Sequence, residues 1–268
     1  MSPRSNVLGV GISPLNLPLA VEQIMVAAAR PEFSGYVTVT GVHGVMESQR
    51  DAELKRIHNQ SFLSVPDGMP MVWMGKWNGF RNISRVYGPD LMLELMAATS
   101  ASGQKHFFFG GGVGVVDKLA RNLREQYDEV SIVGMASPPF RPLTNEEETE
   151  LVASIRSMRP QFFWVGLSTP KQERFMYSFL KNHPDITQGW NHGLIMLGVG
   201  AAFDFHAGLV PQAPLWMQKS GLEWIFRLAM EPKRLWQRYL YNNPLFIWRI
   251  LLQVTGIKKE EIHTSVQL

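Results

Sequence analysis

The 268-residue chain contains no cysteine, which excludes a disulfide framework and a thiolate metal site and permits a reducing compartment. It also lacks any run of about eighteen apolar residues, the length a membrane-spanning helix requires. Its N-terminus, MSPRSNVLGVGISPLNLPL, shows no apolar stretch followed by a small-residue cleavage site, so a secretory leader is not expected. Charge is nearly balanced: 26 Lys and Arg against 23 Asp and Glu leave a net +3, too little for a general nucleic-acid surface. His43, His106, His192 and His206 fall outside H-x-H and H-x-x-x-H spacing, and no Asp-x-Asp pair offers a clamp for a divalent cation. No metal site is therefore expected.

What is present is ample apolar content, 45%, for one large core. Short β-branched or aromatic runs recur over the first two hundred residues: Tyr36 to Thr40, Phe62 to Val65, His106 to Phe109, Val130 to Val133, Phe162 to Val165 and Leu194 to Val199. Helical periodicity fills the intervals, as in Val116 to Gln126, Glu146 to Ser157 and Lys171 to Lys181. This rhythm belongs to βαβ units and predicts an α/β fold, a Rossmann-like, largely parallel sheet flanked by helices. After Gly200 the alternation stops. Helical patterns then follow one another, roughly Pro214 to Met230, Pro232 to Tyr241 and Pro244 to Val254, each opened by a proline. The expected organisation is an α/β catalytic domain over 1–205 and a helical C-terminal appendage over 206–268.

Ligands of such sheets bind outside the carboxyl ends of the strands. There, Pro66-Asp67-Gly68 sets a carboxylate between a rigid and a permissive residue. Asp67 reads either as the cap of a helix beginning near Met69 or as a general base whose pKa is raised by apolar surroundings. Arg81 and Arg85 precede a helix start at Pro89, which suits a phosphate site, although a surface pairing with Asp90 or Glu94 is equally consistent. The glycine run Gly110 to Gly114 fits G-x-G-x-x-G poorly and reads better as a tight strand-to-helix turn than as a dinucleotide loop. Ser168 or Thr169 is a natural cap with Pro170 in the first turn, but capping does not account for the crowding of Lys171, Gln172, Glu173 and Arg174. Asp204, between two phenylalanines, suits either ribose or sugar hydroxyls or a buried turn.

The C-terminal segment combines Trp216, Trp224, Trp236 and Trp248 with eight Lys or Arg between Lys219 and Lys259, against Glu223 and Glu231. Tryptophans suit the headgroup level of a bilayer, and each cation gains on the order of 1 kcal/mol near anionic lipid. The pattern favours a membrane surface over an ordinary solvated helix.

Five ordered motifs span most of the chain: Pro66-Asp67-Gly68; Arg85-Val86-x-Gly88-x-Asp90-Leu91; Gly166 to Arg174 with its Pro-Lys-Gln-Glu core; Gly198-Val199-Gly200-x-x-Phe203-Asp204; and Ala213-Pro214 followed by Gly221-Leu222-Glu223-Trp224 and Glu231-Pro232-x-Arg234-Leu235. Together they resemble the WecG/TagA/CpsF family of bacterial glycosyltransferases. The resemblance implies an inverting, metal-independent enzyme without a cofactor, acting at the inner face of the cytoplasmic membrane. It would move a sugar from a UDP-sugar to a polyprenyl-diphosphate-linked saccharide, in the synthesis of teichoic acid linkage units, enterobacterial common antigen or exopolysaccharide. By motif match Asp67 is the expected base, Arg85 and Gln172 fall on donor or active-site positions, and Asp204 joins them as a binding candidate. Arg227, Arg234 and Arg238 are candidates for the diphosphate. Many members read Thr-x-Asn after the second strand, where this chain has Thr38-Val39-Thr40-Gly41-Val42-His43-Gly44. Thr40 and His43 are therefore the candidates for that pair, and the donor sugar stays open, as does self-association. Two other readings remain: a different nucleotide-dependent α/β enzyme, and a membrane-binding scaffold without catalysis.

Overall fold

The computed structural model describes residues 3–263. Among these are the strands β1 (Ser5–Val7), β2 (Val10–Ile12), β3 (Ser34–Thr40), β4 (Leu63–Pro66), β5 (Lys105–Gly110), β6 (Ser131–Ala136), β7 (Phe162–Gly166) and β8 (Leu194–Gly198). The last six form one sheet in the order β4-β3-β8-β7-β5-β6, with parallel ladders between β5 and β6, β5 and β7, and β7 and β8. Helices separate its successive strands, so the α/β class and all six expected strands are observed. The N-terminal hairpin was not expected. Its strands are three residues each, too short to show alternation, and its two-residue turn uses positive φ at both Leu8 and Gly9, the handedness that matches strand twist.

The described residues form two compact units. One comprises the N-terminal stretch to Leu17, Thr38–Tyr87 and the residues from Gln212 on; the other comprises Pro18–Val37 and Gly88–Pro211. In the second unit, β7 and β8 are apolar along their length, as is β5 from Phe107 on, and nearly all of their residues are buried, as strands covered on both faces require. Phe107 stacks on Phe163 at 5.0 Å, and Phe163 on the helical Phe179 at 6.3 Å. His106 belongs to this core: its Nδ1 accepts the Trp164 indole N–H at 3.1 Å and its Nε2 lies 2.9 Å from Thr99 Oγ1. Burial holds its pKa down to about 3, so it is a neutral structural group. The glycines after the strands serve close packing. A Cβ on Gly110 would lie 2.6 Å from the Gly166 backbone, and one on Gly166 would lie 2.7 Å from the Phe203 ring.

In the first unit the C-terminal segment runs as Leu215–Lys219, Glu223–Met230 and Pro232–Val254. Two expected boundaries move. The helix read as Pro214 to Met230 breaks at Gly221, whose φ of +76° ends a helical turn in the left-handed region. The two helices read on either side of Tyr241 are one, with Pro244 inside it. The lost hydrogen bond and ring clash of an internal proline are offset by a face buried on both sides of it, through Leu235, Asn242 and Phe246. Phe246 packs in one cluster with Val7, Val10, Ile12, Val45, Met46 and Met71, so this segment helps build the core of its unit. Its opposite face exposes Trp236, Leu240, Ile247, Trp248 and Leu251, each more than half accessible or close to it.

Candidate active site

Asp67 follows β4 directly. Its N–H donates to Thr40 O at the end of β3 at 2.9 Å, and the preceding Pro66 O accepts Val86 N–H at 2.9 Å. The carboxylate is thus anchored by main chain on both sides. Gly41 gives it room, since a Cβ there would lie 3.1 Å from Asp67 O and 3.4 Å from Oδ2. The next helix, Met69–Trp77, has Gly68 at its cap position and no side-chain cap, so capping does not account for Asp67.

Thr40 is buried, and its hydroxyl belongs to a polar network beneath this turn. It donates to Thr38 Oγ1 at 3.0 Å, accepts from Ser64 Oγ at 2.9 Å and lies 3.2 Å from His58 Nδ1. Burial, with the Arg4 charge adding to it, lowers the pKa of His58 to about 4, so the network carries no charge at neutral pH. His43 lies on the helix Val42–Ser48, 3.8 Å from Glu47 and 3.4 Å from the Asn242 amide. Together with Arg50, Trp236, Tyr241 and Arg238 it lines a cavity of about 610 Å³.

Burial pushes the Asp67 carboxyl up to about 6. Arg85 opposes that rise, Glu223 adds to it, and Arg227 and Arg238 oppose it, so three cations and one further carboxylate shape its field. Arg227 and Arg238 are half-buried, and the Nε of Arg238 is buried without a partner among the described residues. Arg234 differs. It is exposed and pairs with Glu231 at 2.7 Å, three residues back on the same stretch of chain. Of the three C-terminal arginines singled out in the sequence, two therefore share the Asp67 environment and one faces solvent.

Two groups that the sequence did not single out for chemistry join this cluster. Arg85 pairs with Glu223, donates to Gln218 Oε1 at 2.8 Å and stacks over the Tyr87 ring at 3.8 Å. Tyr87 in turn donates its hydroxyl to the other Glu223 oxygen at 2.8 Å, and burial followed by the charges of Glu223 and Asp67 raises its pKa, so it stays a donor. Glu223 lies within the Gly-Leu-Glu-Trp motif, but its partner is 138 positions away and only the fold reveals the pair.

The remaining candidates lie in the second unit. Gln172 is buried, and its Nε2 donates to Gly198 O and to Glu173 Oε1, both at 3.1 Å, while its Oε1 is buried without a partner among the described residues. Thr169 also donates to Glu173, at 2.8 Å. The helix Lys171–Asn182, which carries Gln172 and Glu173, has Pro170 at its cap position with no side-chain cap, so the expected Ser168 or Thr169 cap is absent. Thr169 is instead tied to the crowded turn that follows. Asp204 is half-buried in the short helix Ala202–His206. Among the described residues no group of His, Asp and Glu is arranged to hold a metal ion.

The raised carboxyl has a consequence for stability. An acid whose folded pKa lies above its unfolded value stabilises the fold when protonated, and that contribution is lost as pH rises from about 4 through about 6. Asp67→Asn removes the half-buried charge, so above pH 7 it should unfold with a free energy higher than the parent by up to about 3 kcal/mol, from a shift of roughly two units. Below pH 4 the two should coincide. Urea titrations at pH 4 and pH 8 read this directly, and equal stability at both would show that the carboxyl is not strained by burial.

The family model for the WecG/TagA/CpsF glycosyltransferases matches residues 5–260, nearly the whole chain. The chain belongs to that family. It is accordingly a glycosyltransferase of cell-surface polysaccharide synthesis, a class of enzyme that transfers a sugar from a nucleotide-sugar donor to a lipid-linked acceptor. The family match also removes the weight from the reading of Gly110 to Gly114 as a dinucleotide loop, in keeping with the packing role of Gly110. No helix among the described residues is long and apolar enough to cross a membrane.

Proposed function

We propose that the enzyme transfers a sugar from a UDP-sugar to a polyprenyl-diphosphate-linked saccharide by direct displacement, without a metal, with Asp67 as the general base. The observation that carries this reading is a carboxyl at a strand end, raised to about 6 by burial and lying in the field of Arg85, Arg227 and Arg238. At neutral pH such a group is ionised yet basic enough to accept a proton in a transition state. The acceptor hydroxyl attacks C1 of the donor, its proton passes to Asp67, the C1–oxygen bond to the diphosphate breaks, and UDP leaves from the opposite face. Half-buried guanidiniums are suited to the charge that develops on the departing diphosphate. His43 is proposed to contact the donor, and Thr40 to act through the carbonyl that fixes Asp67. Gln172 and Asp204 are proposed, on their motif positions, as binding residues of the second unit. A screen of UDP-sugars against a synthetic polyprenyl-diphosphate acceptor tests the proposal. Product mass should rise by one sugar residue, with inversion at C1, so that an α-linked donor gives a β-linked product. Retention, or no product with any donor, counts against it.

The lipid-linked acceptor requires access to a membrane surface, and the exposed apolar face of Pro232–Val254 supports peripheral docking at the inner face of the cell membrane. Trp236 and Trp248 are 50% and 59% accessible, with Lys233, Arg234 and Arg249 on the same helix. Because Phe246 is part of a core, truncation is a poor test, and point substitution of the outer face is the better one. Trp236→Ala with Trp248→Ala should weaken binding to anionic vesicles by at least about tenfold, given about 1.5–3 kcal/mol per large apolar side chain buried. Cosedimentation equal to that of the parent would count against docking by this face.

A further inference from the structure

Glu223 has no part in the proposed chemistry, yet its charge acts on Asp67. Both of its oxygens are taken, one by Arg85 and one by Tyr87, and Tyr87 also stacks under the Arg85 guanidinium at 3.8 Å. Gln218 closes the arrangement, accepting from Arg85 at 2.8 Å and donating to Ala213 O at 2.7 Å. Arg85 and Glu223 are both mostly buried, with 13% and 16% of their side chains accessible. A carboxylate held there against two donors costs desolvation. Arg85 and Asp67 are the chain neighbours of Val86 and Pro66, whose N–H and O are joined at 2.9 Å, so the guanidinium starts one residue from a second carboxylate.

We propose that Glu223 is the positioning residue of this site: by holding Arg85 together with Tyr87, it keeps that guanidinium from closing on Asp67 and so leaves the Asp67 carboxylate available to take a proton. The inference rests on the reading of Asp67 as the base. The charged and titratable groups around Asp67 come from three stretches of chain: Arg85 and Tyr87 from the segment after Ile83, Glu223 and Arg227 from Glu223–Met230, and Arg238 from Pro232–Val254. Among the described residues, the charges of Arg85, Arg227 and Arg238 favour ionisation of Asp67 and that of Glu223 opposes it. Removing Glu223 leaves three cations facing one carboxylate, and Arg85 becomes free to turn towards it. The base is then weakened twice over, by charge and by a new hydrogen bond.

The test is the titration of Asp67 in the full chain, read by ¹³C NMR of labelled aspartate carboxyls and assigned with Asp67→Asn, alongside the pH dependence of kcat/KM. In Glu223→Gln the Asp67 midpoint should fall by roughly one pH unit or more. The acidic limb of kcat/KM should move with it, and Glu223→Asp should restore most of the parent behaviour. An Asp67 midpoint that stays in place in folded Glu223→Gln overturns the inference and leaves the base assignment untouched. If turnover is indifferent to Asp67→Asn, the base assignment fails and the inference falls with it; a midpoint that still moves tells the two failures apart. Where Glu223→Gln does not fold, Tyr87→Phe takes its place, because it removes one of the two contacts that hold Glu223 while keeping Arg85. The Asp67 midpoint should fall there too, and an unchanged midpoint overturns the inference.

Discussion

Asp67→Asn is expected to lower turnover by roughly 10²–10⁴-fold with the fold intact, the range that a positioned general base supplies. The substitution is nearly isosteric and retains the hydrogen bond from Asp67 N–H to Thr40 O, because that contact is made by main chain. It removes the proton acceptor and, above pH 7, the charge. KM for the donor should change little, since the loss concerns an interaction that strengthens in the transition state. Asp67→Asn should also be the more stable protein above pH 7, so a drop in activity cannot be ascribed to unfolding. Turnover near that of the parent would remove Asp67 from the role.

The second large effect is expected at Arg238. Its guanidinium is half-buried, its Nε lacks a partner among the described residues, and its charge acts on Asp67. A cation kept in such surroundings suits a diphosphate whose negative charge grows as the bond to C1 breaks. Arg238→Ala should reduce kcat/KM by about 10²-fold or more, at the scale of losing one preorganised donor to a developing anion. Arg234→Ala, which removes an exposed partner of Glu231, should stay within about threefold, because surface pairs contribute little. Steady-state kinetics of the two variants with the same donor decide the matter. Equal losses would mean that the division of the arginines by burial has no functional weight.

Strand periodicity carried most of the α/β scaffold, because apolar runs such as Phe162 to Val165 and Leu194 to Leu197 belong to strands buried on both faces. The hairpin Ser5–Ile12 escaped notice for want of length, and the long helix through Pro244 was divided in two because a proline is ordinarily a stop. Packing against Val7, Val10 and Met46 overrode that local preference. The same packing alters the view of the C-terminal segment: the sequence marks it as basic and aromatic, but only contacts show that one face is core while the other presents tryptophans.

At the site, Asp67 was legible because a proline, a glycine and a strand end converge on it, and Arg85 because a motif holds it. Glu223 and Tyr87 were not, since their chemistry arises from a pairing across 136 positions. Charge in a sequence gives no hint of which cation it will meet. The division among Arg227, Arg234 and Arg238 was similarly invisible, because it depends on helix rotation and on Glu231 standing one turn before Arg234.

The central claim is that one carboxylate, Asp67, takes the acceptor proton, and the pH dependence of kcat/KM measured side by side in the parent and in Asp67→Asn tests it most directly. In the parent, kcat/KM should rise with unit slope and level off above a midpoint near 6, the value to which burial raises this carboxyl. In Asp67→Asn that limb should be absent and the residual rate low at every pH. An acidic limb near 6 that persists in Asp67→Asn, or a parent profile that is flat from pH 5 to 8, would contradict the account.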